Sequence, residues 1–252
     1  MRIARYSHDG EVKFGIVEGD DLADIVGHPF GPITFSGERR PIASVRLLPP
    51  VLPSKVVAIG KNYAEHASEM GGDVPEQPLV FLKPSTSVVG SGDTIAYPPS
   101  SSRVDYEGEL AVVIGRLCRD VPESRAMEVV FGYTCANDVT ARDQQKTDGQ
   151  WSRAKGYDSF CPLGPWIETE VSPDDLRIAT TLNGEVKQDG RTSQMIFDSA
   201  YLVSYISEVF TLLPGDVILT GTPAGVGPVQ AGQRVEIEVE GIGVLSNPFV
   251  SR

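Results

Sequence analysis

The chain has 252 residues, 40% hydrophobic and 22% charged, enough to bury a sizeable core without disulfide or metal staples. A formal net charge of -12 and a pI near 4.7 argue against a nucleic acid or an anionic membrane as partner, since both need a basic patch and the densest here is Arg39-Arg40. Three scattered cysteines with no CxxC, a start (MRIARYSHDG) without an apolar signal core, and apolar runs too short to span a bilayer give the expectation of a cytoplasmic protein.

Residues 1–50 read as a small β-rich unit. RIARY and VKFGIVEG are short strands around the turn Ser7-His8-Asp9-Gly10. Pro49, Pro50 and Pro53 crowd the next stretch, where neither helix nor ladder can continue, so a domain boundary is expected there and residues 51–252 form a second unit. That unit opens with the strand KVVAIG, the helical spacing of NYAEHASEM and the strand LVFLKP. The pattern predicts a strand from Tyr106 to Gly115, a helix from Asp120 to Phe131 and a strand from Gly132 to Val139. A helix is expected over Ser199 to Thr211, N-capped by Asp198, with Leu202, Ile206, Val209 and Phe210 as its apolar face. The chain closes on DVILTGT and on RVEIEVEG, whose alternation marks a half-solvated strand. Strands outnumber helices without a regular βαβ series, so the fold class is α+β with a β-dominated core.

The sharpest local feature is Tyr106-Glu107-Gly108-Glu109-Leu110. On a strand Glu107 and Glu109 share a face, about 7 Å apart along the chain, and Ala111 and Val113 continue that face into apolar territory. Paired carboxylates at the mouth of a core suit a hard divalent cation; two glutamates alone also fit a solvated strand end. Asp138, at the end of a strand, is a candidate third ligand, and by itself reads equally as a turn or a helix cap. Asp143 is an alternative partner, or an ion-pair mate of Arg142. Asp105 has the same strand parity but lies outside the expected ligand set, so its substitution is expected to cost much less than that of Glu107, Glu109 or Asp138.

His8 and His28 lie in turn-like surroundings. His66 differs, because Glu69 follows at i+3 on a helical turn. A carboxylate on one imidazole nitrogen would leave the other to take a proton from water. Gly60 and Gly71-Gly72 flank this segment, so residues 62–77 are expected to move as a lid. Lys155 could neutralise a carboxylate or an enolate, although a surface lysine is the ordinary reading. The loop Thr220-Gly221-Thr222-Pro223-Ala224-Gly225 could bring backbone N–H groups to an anion, or be a tight turn; it lacks the GK[ST] of a nucleotide-binding loop.

GKNYAEHASEM, PLVFLKP, YEGELAVVIG, NDVTARDQQ, RAKGYDSFCP, LNGEVKQDG, TSQMIF and ILTGTPAGVG together resemble the fumarylacetoacetate hydrolase family, most closely its short acylpyruvate-hydrolase branch. The resemblance covers roughly residues 55–250. It implies a mixed β-roll, usually a homodimer, and a divalent metal, Mg²⁺ or Mn²⁺, on Glu107, Glu109 and Asp138. It further implies His66 and Glu69 as the catalytic dyad of a mobile lid and Lys155 as a catalytic lysine. Gln145 and Thr222 match residues that contact a small keto acid, and Arg142 lies in the same motif. A further aspartate ligand of the large family members has no counterpart in Ala58-Ile59-Gly60-Lys61. The expected activity is hydrolysis of a C–C bond in an acylpyruvate. Oxaloacetate decarboxylation or isomerisation of a hydroxy-dienedioate is the alternative through the same enolate, and a non-catalytic binding protein is the poorest reading. The dyad is taken to favour hydrolysis, as the reaction that needs a water-activating base.

Overall fold

A computed structural model describes residues 1–69, 71 and 73–252; Met70 and Gly72, within the expected lid, lie outside the described residues. The architecture is mixed α+β and strand-rich. A twelve-stranded sheet runs in the order Phe35–Pro41, Asp21–Ile25, Glu11–Glu18, Arg2–His8, Cys161–Glu168, Val130–Asn137, Gly108–Ile114, Val217–Leu219, Val56–Gly60 and Leu79–Lys83, with two short strands off this path. The N-terminal strands thus continue the large sheet through the pairing of Arg2 with Glu168 and Ile3 with Ile167. A five-stranded sheet contains Arg177–Leu182, Arg234–Val239 and Gly243–Ser251, and a three-stranded one is centred on Val104–Tyr106.

The strand Gly108–Ile114 is buried on both faces, which explains its continuous apolar run. Leu110, Val112 and Ile114 join the main core with Leu202, Ile206 and Ile237. Ala111 and Val113, on the face shared with Glu109, pack with Val56, Ala58, Leu163, Val217 and Leu219. In Arg234–Val239 the valines and isoleucine point inward, as the alternation requires.

Four short helices carry or brace the functional loops: α1 (Ala64–Glu69), α2 (Arg142–Thr147), α3 (Ser152–Gly156) and α4 (Ser199–Val209). Asp198 caps α4, its side chain accepting from the Tyr201 amide at 2.8 Å. The α4 core face is Leu202, Val203 and Ile206; Val209 is 55% exposed, contrary to expectation. The helix expected over Asp120 to Phe131 is only a 3-10 segment, Glu123–Val129, after Pro122. Val130 and Phe131 pass instead into the next strand, as β-branched and aromatic residues favour. Among the described residues no helix is long and apolar enough to cross a membrane.

Candidate active site around a buried acidic triad

The expected strand through Tyr106 to Gly115 is broken at Glu107. Val104–Tyr106 pairs in the three-stranded sheet and Gly108–Ile114 in the large one, so Glu107 sits where the chain changes sheets. Its amide donates to Asn137 Oδ1 at 3.0 Å and its carbonyl accepts from the Asp138 amide at 2.9 Å. Gly108 has no alternative: a Cβ there would stand 2.1 Å from Thr180 Oγ1. Its carbonyl accepts from Thr222 Oγ1 at 2.8 Å. Glu109 Oε2 accepts from the amide of Gly221, which holds φ +97° against Asn62. These restraints bring one carboxylate oxygen each from Glu107, Glu109 and Asp138 within 4.8 Å of one another, all three residues buried.

Cations surround two of the three. Lys155, on α3, donates to Glu107 Oε2 at 2.7 Å and Asp138 Oδ2 at 2.6 Å, and lies over the Phe81 ring. Arg142, on α2, bonds Asp105 Oδ2 at 2.9 Å, Glu107 Oε1, and Gln145 Oε1 at 2.6 Å. Lys83, fully buried, donates to Asp138 Oδ1. Burial alone would raise the Glu107 carboxyl, but Lys155 and Arg142 hold it well below the usual carboxylate range. Burial would likewise lower the Lys155 ammonium, and Asp138 and Glu107 raise it instead. Glu109 is the exception. Among the described residues it has no ion-pair partner, and burial, then repulsion from Asp138 and Glu107, pushes its carboxyl well above the ordinary value.

This donor set fits a hard divalent cation. All three groups are carboxylates, whose oxygens carry further lone pairs beyond those the lysines and Arg142 engage. Glu109 is the carboxyl whose ionised form has no cation beside it, and a bound cation would favour that form.

His66, on α1, is buried, and its Nδ1 lies 3.1 Å from Glu69 Oε2, which leaves Nε2 for proton chemistry. The Glu69 carboxylate also accepts from the Gly225 amide at 3.2 Å, tying α1 to the loop after Val217–Leu219. One cavity of about 160 Å³ is lined by His66, Glu107, Glu109, Asp138, Arg142, Gln145, Lys155 and Thr222; Glu69 stands behind His66. Because Gln145 Oε1 accepts from Arg142, its amide NH₂ is the end left to donate. The Thr222 proton is committed to the Gly108 carbonyl, so toward a ligand this hydroxyl can only accept.

Two further acids beside the triad have other partners. Asp105 is fully buried and holds both Arg103 and Arg142, so it is part of the support and not a bystander. Asp143 neither joins the triad nor pairs with Arg142; it accepts from Ser101 Oγ at 2.6 Å and the Ser102 amide at 2.9 Å. The sequence reading also passed over Lys83, Lys61, Lys146 and Trp151. Lys83 carried a signal: a lysine ending an otherwise apolar strand, before a proline.

Residues 55–250 match the model for the fumarylacetoacetate (FAA) hydrolase C-terminal family, and residues 1–50 match an Rv2993c-like N-terminal one. Protein Rv2993c of Mycobacterium tuberculosis is 52% identical over 100% of this chain and 99% of its own. Human mitochondrial oxaloacetate tautomerase FAHD2A is 43% identical over 87% of this chain and 77% of its own. Among solved structures, 5-carboxymethyl-2-hydroxymuconate delta-isomerase from Mycobacterium smegmatis is 52% identical, covers 100% of both chains and superposes with a TM-score of 0.95.

Proposed function

The chain belongs to the fumarylacetoacetate hydrolase family, and from that premise we propose that it is a divalent-metal-dependent enzyme moving a proton on a small 2-oxo acid, as an isomerase or tautomerase. The observation that carries this reading is His66, braced by Glu69 and lining the same cavity as the three buried carboxylates. The similarity to an isomerase and an oxaloacetate tautomerase supports it.

A cation on Glu107, Glu109 and Asp138 would supply Lewis-acid stabilisation of charge developing at the 2-oxo group. His66 Nε2 takes a proton from the carbon beside that group and returns it at another atom. Glu69 fixes the imidazole tautomer and stabilises the imidazolium that results. Lys155 has three N–H donors, two on Glu107 and Asp138, so the third is free for a substrate carboxylate. The Gln145 NH₂ is a second donor for the same head group.

The dyad does not by itself favour hydrolysis, because moving a proton between carbon and oxygen also needs a base. Hydrolysis of an acylpyruvate is therefore the second reading, with His66 activating water. Mg²⁺ or Mn²⁺, a homodimer and a cytoplasmic setting, which the free Cys118, Cys135 and Cys161 suit, complete the proposal. The test is an assay with Mg²⁺ or Mn²⁺ on oxaloacetate, a hydroxy-dienedioate, acetylpyruvate and fumarylpyruvate. Isomerisation or tautomerisation should exceed C–C hydrolysis; hydrolysis alone would reverse the order of the two readings.

A further inference from the structure

Gln188 stands behind the cavity wall, on the strand Glu185–Arg191 of the five-stranded sheet, and is 1% exposed. Its Oε1 accepts from the Gly108 amide at 2.9 Å, and its Nε2 donates to Thr222 Oγ1 at 2.7 Å and to the Pro223 carbonyl at 2.8 Å. Thr222 Oγ1 in turn donates to the Gly108 carbonyl at 2.8 Å. A closed ring of hydrogen bonds thus joins Gly108, between Glu107 and Glu109, to Thr222, which lines the cavity.

Only one set of proton positions satisfies this ring. The Gly108 amide can only donate, so the oxygen of the Gln188 side chain must face it; the Pro223 carbonyl can only accept, so the NH₂ must face that. The same NH₂ meets Thr222, whose oxygen therefore accepts and whose single proton goes to Gly108. Tight packing keeps the loop against this strand. A Cβ at Gly190 would stand 2.6 Å from Pro223 Cβ, and one at Gly225 2.2 Å from the Lys187 carbonyl oxygen.

Resting on the 2-oxo-acid reading above, we infer that Gln188 is a positioning residue that fixes Thr222 as an acceptor, so that this wall of the cavity selects a ligand that donates a hydrogen bond there, such as an enol hydroxyl or an amide N–H. A carboxylate or keto oxygen offers only lone pairs and meets the Thr222 oxygen with no proton between them. Gln188 prevents Thr222 from turning its proton toward such a ligand. The enol tautomer of a 2-oxo acid is thereby held in preference to the keto form.

Oxamate and oxalate are isosteric, unreactive chelators that differ at one group, an NH₂ in oxamate and an oxygen in oxalate. Their affinities for the full chain in Mg²⁺ are measured by calorimetry. The oxalate-to-oxamate ratio is the readout, because a general loosening of the site moves both ligands together. Gln188→Met frees the Thr222 proton, so the ratio should shift toward oxalate by about tenfold relative to wild type. Thr222→Val should shift it the same way by weakening oxamate, and Thr222→Ser should keep the wild-type ratio. In the Thr222→Val background Gln188→Met should shift the ratio no further, since Gln188 acts through that hydroxyl. The side-chain amide resonance of Gln188, followed by ¹⁵N NMR, needs no Gln188 variant: oxamate should move it in the wild type and leave it in place in Thr222→Val. A wild-type ratio in Gln188→Met, or a Gln188 resonance indifferent to oxamate in the wild type, overturns the assignment while leaving the 2-oxo-acid reading intact. Failure of both ligands to bind with Mg²⁺ present overturns both.

Discussion

Lys83 and Asp138, 55 positions apart in the sequence, form a fully buried ion pair, and the other carboxylate oxygen of Asp138 accepts from Lys155. Asp138 is thus aimed at the triad by lysines on two different elements. Lys83 makes no other hydrogen bond to a triad side chain, so its part is to orient Asp138.

Removing one partner of a buried pair leaves the other charge uncompensated, at a cost of about 3–5 kcal/mol. Because Asp138 keeps its ion pair with Lys155, Lys83→Met should destabilise the metal-free protein by less than that, and weaken Mn²⁺ binding by about 10–100-fold, as loss of a ligand's support does elsewhere. Urea unfolding and Mn²⁺ titration measure the two effects. Wild-type Mn²⁺ affinity in a folded Lys83→Met protein would mean that Lys83 only fills space.

A pH prediction comes from Asp143. Burial would raise its carboxyl, but hydrogen bonds from Ser101 and Ser102 lower it from 3.8 to about 2. The folded state therefore holds this proton less tightly than the unfolded one. Its contribution is fully present above about pH 4 and is lost as pH falls toward 2. Asp143→Asn should be less stable than wild type at neutral pH, and the difference should close toward pH 2. A difference independent of pH across that window would assign the loss to packing.

Movement of α1 is tested through the Glu69–Gly225 contact. If the helix opens to admit substrate, amides of residues 64–69 should exchange quickly in the free enzyme and slow with Mg²⁺ plus oxalate. Glu69→Ala should remove much of that slowing. Equal exchange with and without oxalate would leave α1 a fixed wall.

Much of the site was legible because its residue types stand at strand ends and on one helical turn. Alternation placed Glu109 with Ala111 and Val113, and i+3 spacing placed His66 with Glu69. What brings the carboxylates together was not legible. The strand breaks at Glu107, and Gly108 is pressed against Thr180 of another sheet, a contact 72 residues away in sequence. Lys83 was passed over and Asp105 was left outside the ligand set because the partners that bury them, Asp138 and Arg142, lie far along the chain. The expected helix after Asp120 failed for a local reason: Val130 and Phe131 serve strand pairing better than a final helical turn.

The central claim is that His66 and the acidic triad together move a proton beside a 2-oxo group. Its most direct test is exchange of the C3 hydrogens of 2-oxobutyrate with deuterium oxide, followed by NMR, since enolisation is detected whatever the net reaction. With Mg²⁺ the wild type should accelerate exchange. His66→Gln should lower the rate by about 10²-fold or more, the scale of a general base, and Glu109→Ala should bring it to background. Wild-type exchange in the His66→Gln variant, or undiminished exchange after chelation of the metal, would contradict the account.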